Sequence, residues 1–340
     1  MSLNSRSLST AAALLAGVFA SSVAQAADQT YVMKITLPVI HEQVHQFSKN
    51  FAARVEKDSG GRIKGEVYPA SQLGSIPRQI EGVQFGSIQV AVIPPEFFVG
   101  VDDRFGVMAA PGLVASMEQG RLLADNAAVR KLMLSLGANK GLYGAAMFVA
   151  TPSDVVSKTP IRHLDDFKGK KLRVLASDFQ TKAFEQFGVT PVAMTLGDVL
   201  PAIQQGAIDG ALSAMTVFTT MSYNDAAKYV TQVGQPYIFL MVELSAKWRA
   251  SLPPDLRQLV EKDAKDEAEK IFPVAVEFND NTGKLWTQRG GELIRLPPQE
   301  QSTMMDAMNK TGAVVAQKDP AVAAAYKIVS DAAKQIRSTN

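Results

Sequence analysis

The sequence predicts an α/β protein of two lobes, each a mostly parallel sheet flanked by helices, with a ligand cleft between them. Three observations carry this expectation. Residues 172–213 read strand, helix, strand, helix, strand, an order that closes as a parallel sheet with crossover helices. An internal echo follows: Val83-Gln84-Phe85-Gly86-Ser87-Ile88-Gln89-Val90-Ala91 parallels Ile203-Gln204-Gln205-Gly206-Ala207-Ile208-Asp209-Gly210-Ala211, each a helix end, a capping glycine and a strand. Finally, 340 residues suffice for two domains of ordinary size, each with its own core.

Composition excludes several classes of function. Lys and Arg number 35 against 33 Asp and Glu, so no charge excess points to nucleic acid or an anionic membrane surface. The chain has no cysteine, which removes disulfides and thiol chemistry. Its N-terminus has the make-up of an export signal. Arg6 supplies a positive charge, Ala11 to Ala20 is apolar but too short to span a bilayer, and Ala24-Gln25-Ala26 is a small-x-small cleavage site. Residues 1–26 are therefore expected to be a signal peptide, with the mature chain beginning at Ala27.

In the first lobe, Tyr31 to Val39 reads as a strand. Val44, Phe47, Phe51 and Val55 mark one face of a helix that Ser59-Gly60-Gly61 ends. Ile63 to Tyr68 is a second strand. Ser75 is an N-cap candidate for the next helix, Pro77 suits its first turn and Gly86 closes it. Ile88 to Ile93 is a third strand, with Phe97 and Phe98 just beyond its expected ligand edge. Leu142 to Ala150 is a further apolar strand, and Thr151-Pro152-Ser153 reads as a crossing between lobes.

In the second lobe, Leu172 to Leu175 reads as a buried strand, yet it contains Arg173. A guanidinium there cannot shed its charge, so it needs a carboxylate or a cluster of carbonyls. Composition leaves two readings open: an internal salt bridge, or a planar fork facing the carboxylate of a ligand. A helix follows over 178–187, then a strand at Val192 to Met194, a helix over 199–205 closed by Gly206, and a strand at Ala207 to Ser213. Arg173, the loop Met194 to Gly197, and Ser213 to Met215 converge on the C-terminal edge of that sheet, where open α/β sheets bind ligands.

Tyr229 to Val233 and Tyr237 to Val242 read as strands leading back to the first lobe. Leu252-Pro253-Pro254 opens a helix through Leu256, Leu259, Val260 and Ala264. Pro297-Pro298 precedes another, and Ala321 to Ile336 is the last. Trp248 and Trp286 are expected to pack rather than to touch ligand. The expected division joins 27–150 with about 239–278 as the first lobe, and 151–238 with about 279–340 as the second.

One motif competes with a binding-protein reading. His41-Glu42-Gln43-Val44-His45 fits the H-E-x-x-H pattern, in which two imidazoles one helical turn apart ligate zinc and the glutamate activates water. It falls at a strand-to-helix turn, the extended form of the motif is absent, the remaining histidine, His163, is far away in sequence, and a third ligand would be a glutamate such as Glu56 or Glu66. No Ser/His/Asp set, phosphate-binding glycine loop or cysteine nucleophile accompanies it.

Three runs resemble the DctP-type periplasmic solute-binding proteins of TRAP transporters. They are Asp166-Phe167-Lys168-Gly169-Lys170-Lys171-Leu172-Arg173-Val174, Gly188 to Met194, and Ala202 to Gly210. The Gln72-Leu73-Gly74 segment and the turn Ala109-Ala110-Pro111-Gly112-Leu113 are similar as well. The resemblance runs from about Val32 to the helix after Pro254. It implies a periplasmic receptor, not an enzyme, with no cofactor, that delivers a small organic acid to a permease of one small and one large membrane component. It implies further that Arg173 grips the acid's carboxylate. Three departures bear on the substrate: Ala211-Leu212-Ser213-Ala214 replaces a common Gln-Glu-Asn-Pro, Ser153 stands where some relatives carry a second arginine, and Leu212 where metal-using relatives carry an acid.

The residues expected to bind substrate are thus Arg173, Ser213, Leu196, His41 and Phe97, with no catalytic and no metal-binding residue. Glu96 is a further specificity candidate. The expected ligand is a monocarboxylate with an apolar or aromatic body, ahead of a C4-dicarboxylate. A secreted zinc peptidase built on His41, Glu42 and His45, or a binding protein serving a sensor, are the alternatives.

Overall fold

The computed structural model describes residues 29–175 and 177–339, so the expected signal peptide lies outside the described residues. The first lobe is built from β1 (Tyr31–Thr36), α1 (Gln43–Asp58), β2 (Ile63–Tyr68), α2 (Ile76–Phe85) and β3 (Val90–Ile93). Helices α3 (Met117–Asp125) and α4 (Ala127–Met133) then lead to β4 (Leu142–Ser157). The second lobe continues with β5 (Lys171–Val174), α5 (Asp178–Glu185), β6 (Thr190–Ala193), α6 (Leu196–Gln204), β7 (Gly210–Ala214), α7 (Met215–Thr220) and β8 (Tyr229–Thr231). The chain returns through β9 (Tyr237–Ser245), α8 (Ala246–Ser251), α9 (Pro254–Lys270) and α10 (Phe272–Gln288). It ends with β10 (Glu292–Ile294), α11 (Pro298–Ala316) and α12 (Pro320–Thr339).

Local chemistry explains the elements that place the cleft. In α1, Val44, Phe47, Phe51 and Val55 recur at helical spacing and are all buried. Gly60 and Gly61 follow its end with φ of 64° and 80°, a left-handed conformation that costs a β-carbon-bearing residue dearly. Strands β1, β2 and β3 pair in parallel, as do β5, β6 and β7. Each lobe therefore carries the parallel sheet that its alternating pattern predicts.

β4 is where sequence expectation and structure differ most usefully. The apolar run and the crossing tripeptide are one continuous strand. Up to Pro152 it pairs antiparallel with β9, and from Ser153 it pairs antiparallel with β7. A register shift falls between Val149 and Thr151, just before the change of partner. The path β2-β1-β3-β9-β4-β7-β5-β6 thus runs through both lobes, with β4 as the shared strand.

The C-terminal third corrects the expected division. The helix opened by Pro254 does not run on past Phe272: a second helix starts there with Pro273 in its first turn, where a missing N–H is tolerated. α11 packs in the second lobe, burying Met304 and Met308 with Phe167 and Phe184. Asp319 Oδ1 then accepts from Ala321 N at 2.7 Å and Val322 N at 3.0 Å, capping α12 as the chain reverses. α12 lies on the first lobe, where Val329 and Ala333 are buried with Phe105 and Leu123. The last twenty residues therefore belong to the first lobe's core, not the second's. Trp248 and Trp286 are both buried in the core.

The close approach of β7 to β4 gives a direct test of this topology. A β-carbon on Gly210 would fall 2.1 Å from the Val156 carbonyl oxygen, so Gly210→Ala forces neighbouring backbones apart. It is expected to lower stability by about 1–3 kcal/mol, read from the urea midpoint. An unchanged midpoint would contradict the pairing.

Candidate ligand-binding site

Strand alternation sets the site. On β5, Leu172 and Val174 face the core of the second lobe, with Phe167 and Phe184. Arg173 therefore points to the opposite face. It is 1 % exposed. Its Nε donates to the Met194 carbonyl at 3.0 Å and its Nη1 to the Leu212 carbonyl at 3.1 Å. These carbonyls come from the chain after β6 and from β7, the two strands that flank β5. Among the described residues no carboxylate lies within ion-pair distance of Arg173, and Nη2 makes no hydrogen bond. The internal salt bridge left open by the sequence is thus not formed.

Burial pushes the Arg173 pKa down to about 10, against the pull of Tyr223 and Glu96, so the guanidinium stays charged at neutral pH. Its outer side lines a cavity between the lobes, together with Leu196, Ser213 and Val217 from the second lobe and Val39 and Phe97 from the first. Ile238 and Leu240 of β9 complete the apolar wall. Arg173 is the only cation in that wall and Glu42 the only acid. The space measures about 50 Å³. One water requires ~10–15 Å³ and a cavity known to take benzene is about 150 Å³, so this is a tight slot in the present arrangement of the lobes.

Of the residues expected at the site, Arg173, Ser213, Leu196 and Phe97 meet here. His41 does not. It takes a left-handed backbone (φ 59°) at the turn into α1 and is exposed, while the next two residues, Glu42 and Gln43, enter the wall. Phe98 is also absent: it is fully buried against Phe105 at 5.2 Å between ring centroids. Ser153 sits inside the sheet, opposite Ala214, and is not among the residues lining the cavity. Sequence reasoning missed Gln43 and the β9 residues. Gln43 lies in the first turn of an amphipathic helix, where a polar residue reads as solvent-facing, and β9 is apolar on both faces.

Two hydrogen bonds cross the cleft. Thr216 Oγ1 of α7 donates to Glu42 Oε2 at 2.7 Å, and Gln180 Nε2 of α5 donates to Glu96 Oε1 at 3.4 Å. Burial raises both carboxyls to about 7, with Thr216 opposing it at Glu42, and the Glu96 backbone, Arg173 and Gln180 opposing it at Glu96. The same geometry does not gather the ligands of the zinc alternative. Glu42 is turned inward to Thr216, while His41 N–H donates to His45 Nδ1 at 3.3 Å. The proposed third ligands are engaged elsewhere, Glu56 by Lys64 and Glu66 by Tyr68. No group of three His, Cys, Asp or Glu that could hold a metal occurs among the described residues.

The family profile described as bacterial extracellular solute-binding protein, family 7 (DctP), matches residues 37–319. The chain belongs to that family. Among relatives, it is 28 % identical over 232 residues to the C4-dicarboxylate-binding periplasmic protein DctP of Rhodobacter capsulatus, covering 68 % of this chain and 69 % of that protein. It is 28 % identical over 212 residues to the uncharacterized protein YiiZ of Salmonella typhimurium, spanning 61 % of this chain but only 64 % of that protein. A TRAP periplasmic solute-binding protein of Desulfovibrio salexigens, crystallised with orotic acid, superposes with a TM-score of 0.85 at 20 % identity, covering 90 % of this chain and 100 % of that one. The two-lobed fold is thus shared with this solved structure. Members of this extracellular family are solute receptors, and among the described residues no helix is long and apolar enough to cross a membrane.

The buried carboxyls fix how stability varies with pH. Burial holds Glu42, Glu96 and Asp154 at about 7 and Glu243, neither of whose oxygens has a hydrogen-bond partner among the described residues, at about 8. Each therefore keeps a proton in the folded state that the unfolded chain has already lost. Stability is full below the ordinary carboxylate range and falls as pH rises through about 7 to 8. Thermal melts should give a higher Tm at pH 5.5 than at pH ~8.5, with Glu243→Gln reducing the difference. A Tm that rises over that range would contradict the assignment.

Proposed function

We propose that this chain is a periplasmic receptor that closes on a small monocarboxylate and delivers it to a TRAP-type permease driven by an ion gradient. The carrying observation is Arg173, a buried cation held by two carbonyls, with its remaining face turned to an apolar cavity. A carboxylate there gains charge-assisted hydrogen bonds in a low-dielectric site. Delivery to a permease follows from family membership and from relatives described as periplasmic binding proteins.

The walls argue for one carboxylate rather than two. A second carboxylate would meet no second cation in the wall, and Glu42 is the acid it would find. Its desolvation would go uncompensated. An apolar body would instead gain about 25 cal/mol for each Å² removed from water against Val39, Phe97, Leu196 and Val217. Compact aliphatic acids suit the slot as it stands, and an aromatic body requires the lobes to part further. The Rhodobacter relative is described as binding C4-dicarboxylates, and the single cation in the described wall, Arg173, is the reason for setting this chain apart from such binders.

Calorimetric titration with succinate, malate and branched or aromatic monocarboxylates tests this reading. Monocarboxylates are expected to bind, Arg173→Ala to weaken them at least about thirty-fold, and Arg173→Lys to recover only part, because an ammonium cannot replace the planar fork. Tight succinate or malate binding with no monocarboxylate bound would overturn the substrate class. Unchanged affinity in a folded Arg173→Ala protein would overturn the anchor.

A further inference from the structure

Among the polar side chains in the cavity wall, Gln43 and Ser213 make no hydrogen bond to the described residues, and of the two only Gln43 has a fully buried unpaired atom. The Glu42 carboxyl is taken by Thr216, the Thr151 hydroxyl by the Pro152 carbonyl at 3.0 Å, and Arg173 by two carbonyls and the proposed carboxylate. Gln43, the first residue of α1, is 1 % exposed and lines the cavity. Its Oε1 is buried without a hydrogen-bond partner among the described residues, and its amide nitrogen makes no hydrogen bond to them either. A buried carboxamide left unpaired bears its full desolvation cost, whereas one that meets a ligand group recovers it only in the complex. Val39, Val44 and Ile76 of the same lobe line the cavity with it and offer no polar side chain.

We propose that Gln43 is a specificity-determining residue that reads a neutral hydrogen-bonding substituent, a hydroxyl, on the bound monocarboxylate. The cargo is then a hydroxy acid: its carboxylate on Arg173, its hydroxyl on the Gln43 amide, its carbon skeleton against the apolar wall. A hydroxyl both donates and accepts, so it satisfies the carboxamide in either orientation of its oxygen and nitrogen. A site built to hydrogen-bond a substrate hydroxyl discriminates strongly against the analogue lacking it, because the buried partner is then left unpaired. An apolar wall alone would favour the deoxy acid.

This inference rests on the organic-acid reading, and its test separates the two. Affinities are measured by calorimetry for matched pairs: lactate and propionate, 2-hydroxyisovalerate and isovalerate, mandelate and phenylacetate, 4-hydroxybenzoate and benzoate. In at least one pair the hydroxy acid is expected to bind ~10-fold or more tighter than its parent, a modest value for such sites. Gln43→Met, close in shape but without hydrogen-bonding groups, should bring that ratio below ~3-fold while the parent acid binds as well as before or better. Gln43→Glu, which keeps an acceptor, should retain part of the preference. A merely structural role would lower both members of a pair alike and leave the ratio unchanged. Should Gln43→Met fail to fold, the wild-type ratios still decide, since ratios near one in every pair overturn the proposal. Ratios that persist in a folded Gln43→Met protein also overturn it. If monocarboxylates bind but no pair discriminates, only this inference falls; if none binds, the organic-acid reading falls with it.

Discussion

A single buried cation organises the second lobe and, through it, the cleft. The Arg173 guanidinium is drawn out of water by its place in the middle of a sheet, and only carbonyls of the flanking strands keep it there. That arrangement needs β5 between β6 and β7, with the backbone at Met194 and Leu212 turned toward it. Burial without a carboxylate within ion-pair distance is costly, and under the proposed function the cost is recovered when a ligand's carboxylate arrives. Stability has in this sense been exchanged for affinity. Glu96 is attracted to Arg173 from beyond ion-pair distance, and burial pushes it up to about 7, so it is only partly ionised at neutral pH.

The lobes are joined by continuous structure and touch through polar groups and through the Phe179 ring of α5, which stacks on Tyr326 of α12 at 5.9 Å between centroids. β4 enters the sheet of both lobes, and α12 carries the chain's end back from the second lobe to the first. Across the cleft, contact is made by Glu42 with Thr216 and by Glu96 with Gln180. Hydrogen bonds of this kind are individually modest and exchange readily with water, which suits a receptor that opens and closes. A ligand that bridges Arg173 in one lobe and Gln43 in the other would add its own bonds to the closed form and shift the population toward it.

How far the sequence disclosed this depends on the element. The periodic face of α1 was legible because burial there is one-sided, so apolar spacing reports it, and the αβ alternation after Leu172 because short buried apolar runs alternate with amphipathic helices. Arg173 stood out for the opposite reason, a charge inside an apolar run. α7 was invisible: nearly all of Met215 to Thr220 is buried, leaving no polar face to mark a period. The return of α12 was equally hidden, since an amphipathic helix does not say which lobe its apolar face will meet. His41 looked like a site residue by position, but a left-handed turn at that residue sends its neighbours inward instead. Family resemblance suggested the role proposed for Arg173; it could not suggest Gln43, whose proposed role depends on a lack of partners that only three dimensions show.

A crystal structure of the protein grown with a bound monocarboxylate tests the central claim most directly. The account expects a carboxylate oxygen about 2.7–2.9 Å from an Arg173 guanidinium nitrogen, with the carbonyl contacts to Met194 and Leu212 retained. A ligand seated elsewhere, with Arg173 still bound only to those two carbonyls, would contradict it.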